Sequence, residues 1–300
     1  MALGYLMRKI GILSSEADRS LTRLVVTLLA PCLALDTIIG NEGLANPKNW
    51  ILPPVLAFTS IALGIAVSHL GARCFRIPED ERRRTFVFVT SVQNYGYIPL
   101  PLCNALFGRE TMGVLFAFFL GVELAFWSIA VAQLTGYAKS RSWRDVLNAP
   151  IIAISAAIAL NALGAKAWLP SSIATTFHLL GTCAVPLGLL LSGALIADYV
   201  NWDSVRHGRR TILASAVVRI IALPMLMLIF TRFAPLDATL KSVLVVEAAM
   251  PATIFPIVLT RVYRGDMPTA LRVVLGTSAI GLLTIPLWIG FALRWILPGR

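Results

Sequence analysis

Five stretches of at least 20 residues contain no Asp, Glu, Lys or Arg: 49–72, 85–108, 146–165, 167–197 and 273–293. A helix crossing the hydrocarbon of a bilayer needs about 20 mostly apolar residues. Runs of this length, repeated along one chain, therefore restrict it to a bundle of helices embedded in a membrane. Four further windows hold a single charge each: 24–41 around Asp36, 111–138 around Glu123, 211–231 around Arg219 and 242–260 around Glu247. That makes nine predicted spans, preceded by residues 1–7, which are too few to cross. Composition agrees, because only 14% of residues are charged, against about 25% in soluble domains. A cytosolic enzyme, a disordered chain and a secreted disulfide scaffold are excluded.

The formal charge of +11 raises the question of nucleic acid, but no basic stretch is interleaved with aromatics, and no nucleic-acid partner is expected. The basic residues instead orient the spans. If the turns after residues 7, 72, 138, 197 and 260 are cytoplasmic, they hold 18 Lys and Arg against seven on the opposite side, with Arg219 inside the membrane. Cytoplasmic loops carry such an excess. The reading is a multi-pass protein of the inner or plasma membrane with its carboxyl terminus outside. Cys32, Cys74, Cys103 and Cys183 are too scattered for a metal site and read as packing residues.

The two halves of the chain resemble each other. Pro31 and Pro186 are 155 residues apart, Pro99 and Pro256 are 157 apart, and each proline is followed by similar text. Five segments fall in each half, and an odd number inverts the second copy relative to the first, as in many secondary transporters. The organisation read from this is a first inverted repeat over 1–138, a cytoplasmic linker at 139–147 and a second repeat over 148–300. The same arithmetic places the partner of Asn148 about seven residues before Met1. The first helix is thus expected to be truncated by roughly two turns, with translation beginning upstream.

The chemistry is expected where proline meets polarity inside a span. The fourth segment reads Gln93-Asn-Tyr-Gly-Tyr-Ile-Pro99 and the ninth Glu247-Ala-Ala-Met-Pro251. Proline removes the N–H that would satisfy the carbonyl four residues earlier. By that count Pro99 and Pro101 free the carbonyls of Tyr95 and Tyr97, and Pro251 and Pro256 free those of Glu247 and Ala252. Such carbonyls are tolerated at membrane depth only beside protein or a water-filled cavity, so paired breaks point to a central site. The isolated prolines at 31, 186, 224 and 286 read as ordinary kinks. Glu247 lies one turn before Pro251 and is a candidate for a coupling ion or proton, since an intramembrane charge wants a partner or cavity. Arg219 and Glu123 are possible charge partners, Asp36 is interfacial, and His69 and His178 read as core or interface residues. The run Glu79–Arg84 reads as a solvated cytoplasmic turn. No nucleotide-binding or hydrolytic motif is present, so uphill transport would have to draw on an ion gradient or a partner subunit.

These segments, with Gly4–Leu13, Leu29-Ala-Pro31, Asn148-Ala-Pro-Ile-Ile152 and Val185-Pro-Leu-Gly188, resemble the auxin efflux carrier family, relatives of the plant PIN proteins and of transporters assigned to malonate and malate. The resemblance implies an all-α fold of ten helices similar to the sodium-dependent bile acid symporters, with a panel domain and a transport domain in which helices four and nine cross at their breaks. It further implies export or exchange of a small carboxylate by an elevator-like movement. The substrate site would be lined by Gln93, Asn94, Tyr95, Gly96 and Pro99, with Pro251, Ala252 and Thr253. Glu247 matches the glutamate before the ninth-helix break of the sodium-coupled relatives. No cofactor is expected beyond a coupling sodium ion or proton; the expected partners are a small organic acid, the lipid bilayer and a second copy of the chain in a homodimer. The rival readings are a sodium- or proton-coupled importer, an ion channel and an intramembrane enzyme.

Overall fold

The computed structural model describes residues 1–136, 147–199 and 208–298. The expected linker at 139–147 lies outside them except for Leu147, as do Lys139, Arg141, Arg144, Arg206 and Arg300 of the orientation count. Among the described residues the chain is helical without a strand, and six helices are long and apolar enough to cross a membrane. In chain order the helices are α1 (Ala2–Lys9), α2 (Ser15–Ile38), α3 (Lys48–Cys74), α4 (Glu81–Ser91), α5 (Pro99–Phe107), α6 (Arg109–Thr135), α7 (Ala149–Ala162), α8 (Ser171–Tyr199), α9 (Arg209–Phe233), α10 (Ala238–Ala248), α11 (Pro256–Val262) and α12 (Met267–Ile296).

Two of the expected spans are thus interrupted: α4 stops at Ser91 and α5 resumes at Pro99, while α10 stops at Ala248 and α11 resumes at Pro256. Proline at the first helical position accounts for both restarts, because the missing N–H has no intrahelical partner there in any case. The window at 146–165 narrows to the 14 residues of α7, which at 1.5 Å per residue is about 21 Å long. Asn148 sets its start by accepting from the Ile151 N–H at 3.0 Å, the usual N-cap bond.

Two of the prolines inside long helices, Pro31 and Pro224, follow a local widening of the helix, whereas Pro53, Pro54, Pro186 and Pro286 sit in α-helix. Stretches of π-helix, Val25–Leu29 and Ala216–Ala222, precede Pro31 and Pro224, and inserted π turns are a recognised source of helix bends. Pro224 leaves the carbonyl of Ile220 without its helical donor, and the Trp288 indole of α12 donates to that oxygen at 2.8 Å. A third π stretch, Phe126–Ala130, lies in α6 without a proline.

Helix α1 lies along α8 at close range. A Cβ on Gly4 would come 2.0 Å from the carbonyl oxygen of Leu190, and one on Gly193 would come 2.0 Å from that of Met1. Arg8 pins the end of α1 through an ion pair with Asp18 and another with Asp198 at 3.1 Å. Around this edge α2 packs on α7 and α8, while α3, α4, α6, α9, α10 and α12 pack on one another. Helix α6 contacts α2 and α7 and so joins the two groups.

Candidate functional site

The two interrupted helices meet at their gaps. Gln93 and Ala252 form an antiparallel bridge, an isolated one among the described residues. The Asn94 N–H donates to the Pro251 carbonyl at 2.8 Å, and the Thr253 N–H donates to the Val92 carbonyl at 3.2 Å. Backbone that leaves a helix inside a membrane must find other partners, and here each gap supplies them to the other. Thr277 on α12 completes the junction by accepting from the Ala252 N–H at 3.2 Å.

This pairing corrects one expectation. The Glu247 carbonyl is not left bare by Pro251, because α10 tightens in its last turn and the Met250 N–H donates to that oxygen at 3.2 Å. Tight turns of this kind at helix ends take up carbonyls that an α-helical count leaves over.

Of the sequence-designated residues, Gln93 and Asn94 are brought against Pro251, Ala252 and Thr253, and Tyr95, Gly96 and Pro99 follow them along the chain. Gln93, Asn94, Pro99, Pro251, Ala252 and Thr253 are buried, whereas Tyr95 and Gly96 are half-buried and form the accessible side. Two further side chains here were given no role by the sequence: Tyr97, half-buried like Tyr95 and Gly96, and Phe255. A Cβ on Gly188 would lie 2.1 Å from the Tyr97 ring, so α8 can approach the gap only because residue 188 has no side chain. Phe255 is 40% exposed and its ring lies 6.3 Å from that of Trp127 and 5.9 Å from that of Phe126.

Behind the junction lie two buried charges. Glu247 is 0% exposed and Arg219 is 1% exposed. Neither carboxylate oxygen of Glu247 has a hydrogen-bond partner, nor do Nε and Nη2 of Arg219. The remaining guanidinium nitrogen, Nη1, donates to the Ser91 carbonyl at 3.3 Å. That carbonyl ends α4, and Glu247 sits in the last turn of α10. Helix carboxyl ends carry partial negative charge, so Arg219 supplies positive charge to the end of α4 through Ser91 and to the Glu247 carboxylate across space. Arg219 acts on Glu247 by charge, and the Gln93 side-chain amide lies beside the carboxylate without closing a hydrogen bond of ordinary geometry.

Glu123 occupies a different position. Its partners are neutral: the Tyr95 hydroxyl donates to Oε1 at 2.8 Å, and the Trp127 indole and the Asn148 amide donate to Oε2 at 2.9 and 2.8 Å. It thus serves as a hydrogen-bond acceptor beside the junction rather than as the counter-charge of Arg219. The i, i+4 spacing of Glu123 and Trp127 was a legible signal for one of these contacts; the contact with Asn148, 25 residues away, was not. At one end of the bundle Asp36 pairs with Arg109 at 3.1 Å and with His178 at 3.3 Å.

The fold and this junction define an integral membrane protein of several spans, built around two interrupted helices. The chain belongs to the auxin efflux carrier family: the profile of that family, described as a membrane transport protein, matches residues 1–141 and 133–289. It is 26% identical to an uncharacterized transporter of Methanocaldococcus jannaschii, over 98% of this chain and 94% of that one. It is 24% identical to an uncharacterized transporter of Methanothermobacter thermautotrophicus, over 95% and 93% of the two chains. The chain is a membrane transporter and not an enzyme.

Proposed function

We propose that this transporter is a secondary carrier that exports or exchanges a small organic anion by alternating access, with the crossed gaps as its substrate site. The observation that carries the reading is the backbone pairing of residues 92–94 with 251–253. It gathers polar side chains of both interrupted helices at one point within the bundle. Asn94 and the amino end of α5 would face the carboxylate, since helix amino ends favour anions. The half-buried Tyr95, Gly96 and Tyr97 would face the body of the substrate.

In this reading the ten segments expected from sequence form two inverted repeats: α1, α2, α3, α4 with α5, and α6, followed by α7, α8, α9, α10 with α11, and α12. Helices α1, α2, α7 and α8 form the panel, and the rest moves against it. The cytoplasmic face carries the turns after α1, α3 and α11, which places the carboxyl terminus outside the inner or plasma membrane. Cation coupling is a second reading, favoured by the two unpartnered oxygens of Glu247.

The test is a thermal-shift screen of purified protein against mono- and dicarboxylates, with and without sodium. A ligand that binds the native state at about 100 times its Kd stabilises it by about 2.7 kcal/mol. A carboxylate that raises the midpoint in the wild type but not in Asn94→Ala supports the site. Stabilisation that requires sodium and vanishes in Glu247→Gln supports coupling. No stabilisation by any carboxylate would overturn the anion assignment.

A further inference from the structure

Glu123 joins three parts of the molecule through one side chain. Its carboxylate is buried in α6 and receives Tyr95 from the gap between α4 and α5, Trp127 from the π stretch one turn further along α6, and Asn148 from the start of α7. The Asn148 side chain is committed at both ends. Its oxygen caps α7 through the Ile151 N–H and its amide nitrogen holds Glu123. It cannot rotate to relieve one contact without losing the other, so the position of α7 is transmitted to the carboxylate, and from there to the Tyr95 hydroxyl.

We infer that Glu123 is a positioning residue: it sets the orientation of Tyr95 at the substrate site and latches that site to the amino end of α7, and the latch opens when the gap moves relative to α7. The inference rests on the proposed movement of the interrupted helices against α1, α2, α7 and α8. A buried carboxylate is a costly way to fill space in a membrane helix, and a packed apolar side chain would hold α6 against α7 as well or better. What the carboxylate provides is directional bonding to both neighbours through one group. Because all three donors are neutral, no counter-charge has to travel with the latch when it opens.

Hydrogen exchange of the full-length protein in detergent micelles, read by mass spectrometry without any substrate, tests this. Asn148→Asp keeps a side-chain oxygen to cap α7 but removes the amide donor and sets a second carboxylate against Glu123. Losing a hydrogen bond to a charged group is expected to speed exchange of the amides at 93–98 about tenfold. Adding Glu123→Gln restores a bond of reversed polarity, from the Gln amide nitrogen to the Asp oxygen, keeps an oxygen to accept from Tyr95 and gives up only the Trp127 bond within α6, so those rates should return to within about threefold of wild type. If Asn148→Asp does not fold, Glu123→Gln alone carries the same expectation at 93–98.

Three results would overturn the latch: rates at 93–98 unchanged in the single variants, a double variant no closer to wild type than the singles, or equal acceleration in α12 at 270–280, which signals general loosening. Since exchange is read without substrate, a failed carboxylate screen would count against the carrier reading and unchanged exchange against the latch.

Discussion

Replacing Glu247 by Gln removes a buried carboxylate on which Arg219 acts with the opposite charge, and the consequence for stability can be worked from their burial. The pair does not touch, since both carboxylate oxygens lack a hydrogen-bond partner. At separations of about 4 to 8 Å and an effective dielectric of about 20, two unit charges attract by about 4 to 2 kcal/mol. Both groups are shielded from water, at 0% and 1% exposure, so solvent screening does little to reduce this. Removing either partner leaves the other charge buried and uncompensated, at a cost of about 3–5 kcal/mol. Removing both deletes the attraction and both desolvation penalties together. The loss in Glu247→Gln with Arg219→Met should therefore fall short of the sum of the single losses by about 2–4 kcal/mol. Unfolding of the four proteins in mixed micelles by added dodecyl sulfate, followed by circular dichroism, measures the cycle. Additivity within about 0.5 kcal/mol would show that the two charges do not act on each other, and the argument that Arg219 supplies the counter-charge would fail.

Arg219→Lys keeps the charge but loses the planar fork that reaches the Ser91 carbonyl. It should fold and retain most of the coupling to Glu247, and a stability as low as that of Arg219→Met would refute this. Asn94→Ala leaves the backbone bond to Pro251 intact, so carboxylate-induced stabilisation should disappear while the ligand-free midpoint stays within a few degrees of wild type; a large fall in that midpoint would make the side chain structural. Gly188→Ala drives a Cβ into the Tyr97 ring and should cost about 1–3 kcal/mol by overpacking, recovered in large part when Tyr97→Ala is added. Failure of that second change to rescue would place the clash elsewhere. After Cys74 and Cys183 are replaced by Ser, Asn46→Cys should react with an impermeant maleimide in intact cells and Glu79→Cys should not. The opposite pattern would invert the proposed orientation.

What was legible in the amino-acid order was whatever depends on residues close in the chain. Charge-free runs mark membrane-crossing helices because the bilayer acts on each segment separately. The prolines at 99, 251 and 256 mark the interruptions because a missing N–H acts within one turn. The same reasoning singled out Gln93, Asn94, Tyr95 and Glu247, all of which lie at or behind the junction. It failed for the Glu247 carbonyl, which a tightened turn satisfies, and it gave no role to the side chains of Tyr97, Trp127, Asn148 and Phe255. Those assignments depend on contacts between segments distant in sequence, such as Arg219 with Ser91, Tyr97 with Gly188 and Asn148 with Glu123. Which of several buried polar groups faces which is a question of helix rotation and crossing, set by side-chain packing over the whole bundle. No local pattern encodes it, and so the tertiary structure alone decided that Arg219 answers Glu247 while Glu123 holds Tyr95.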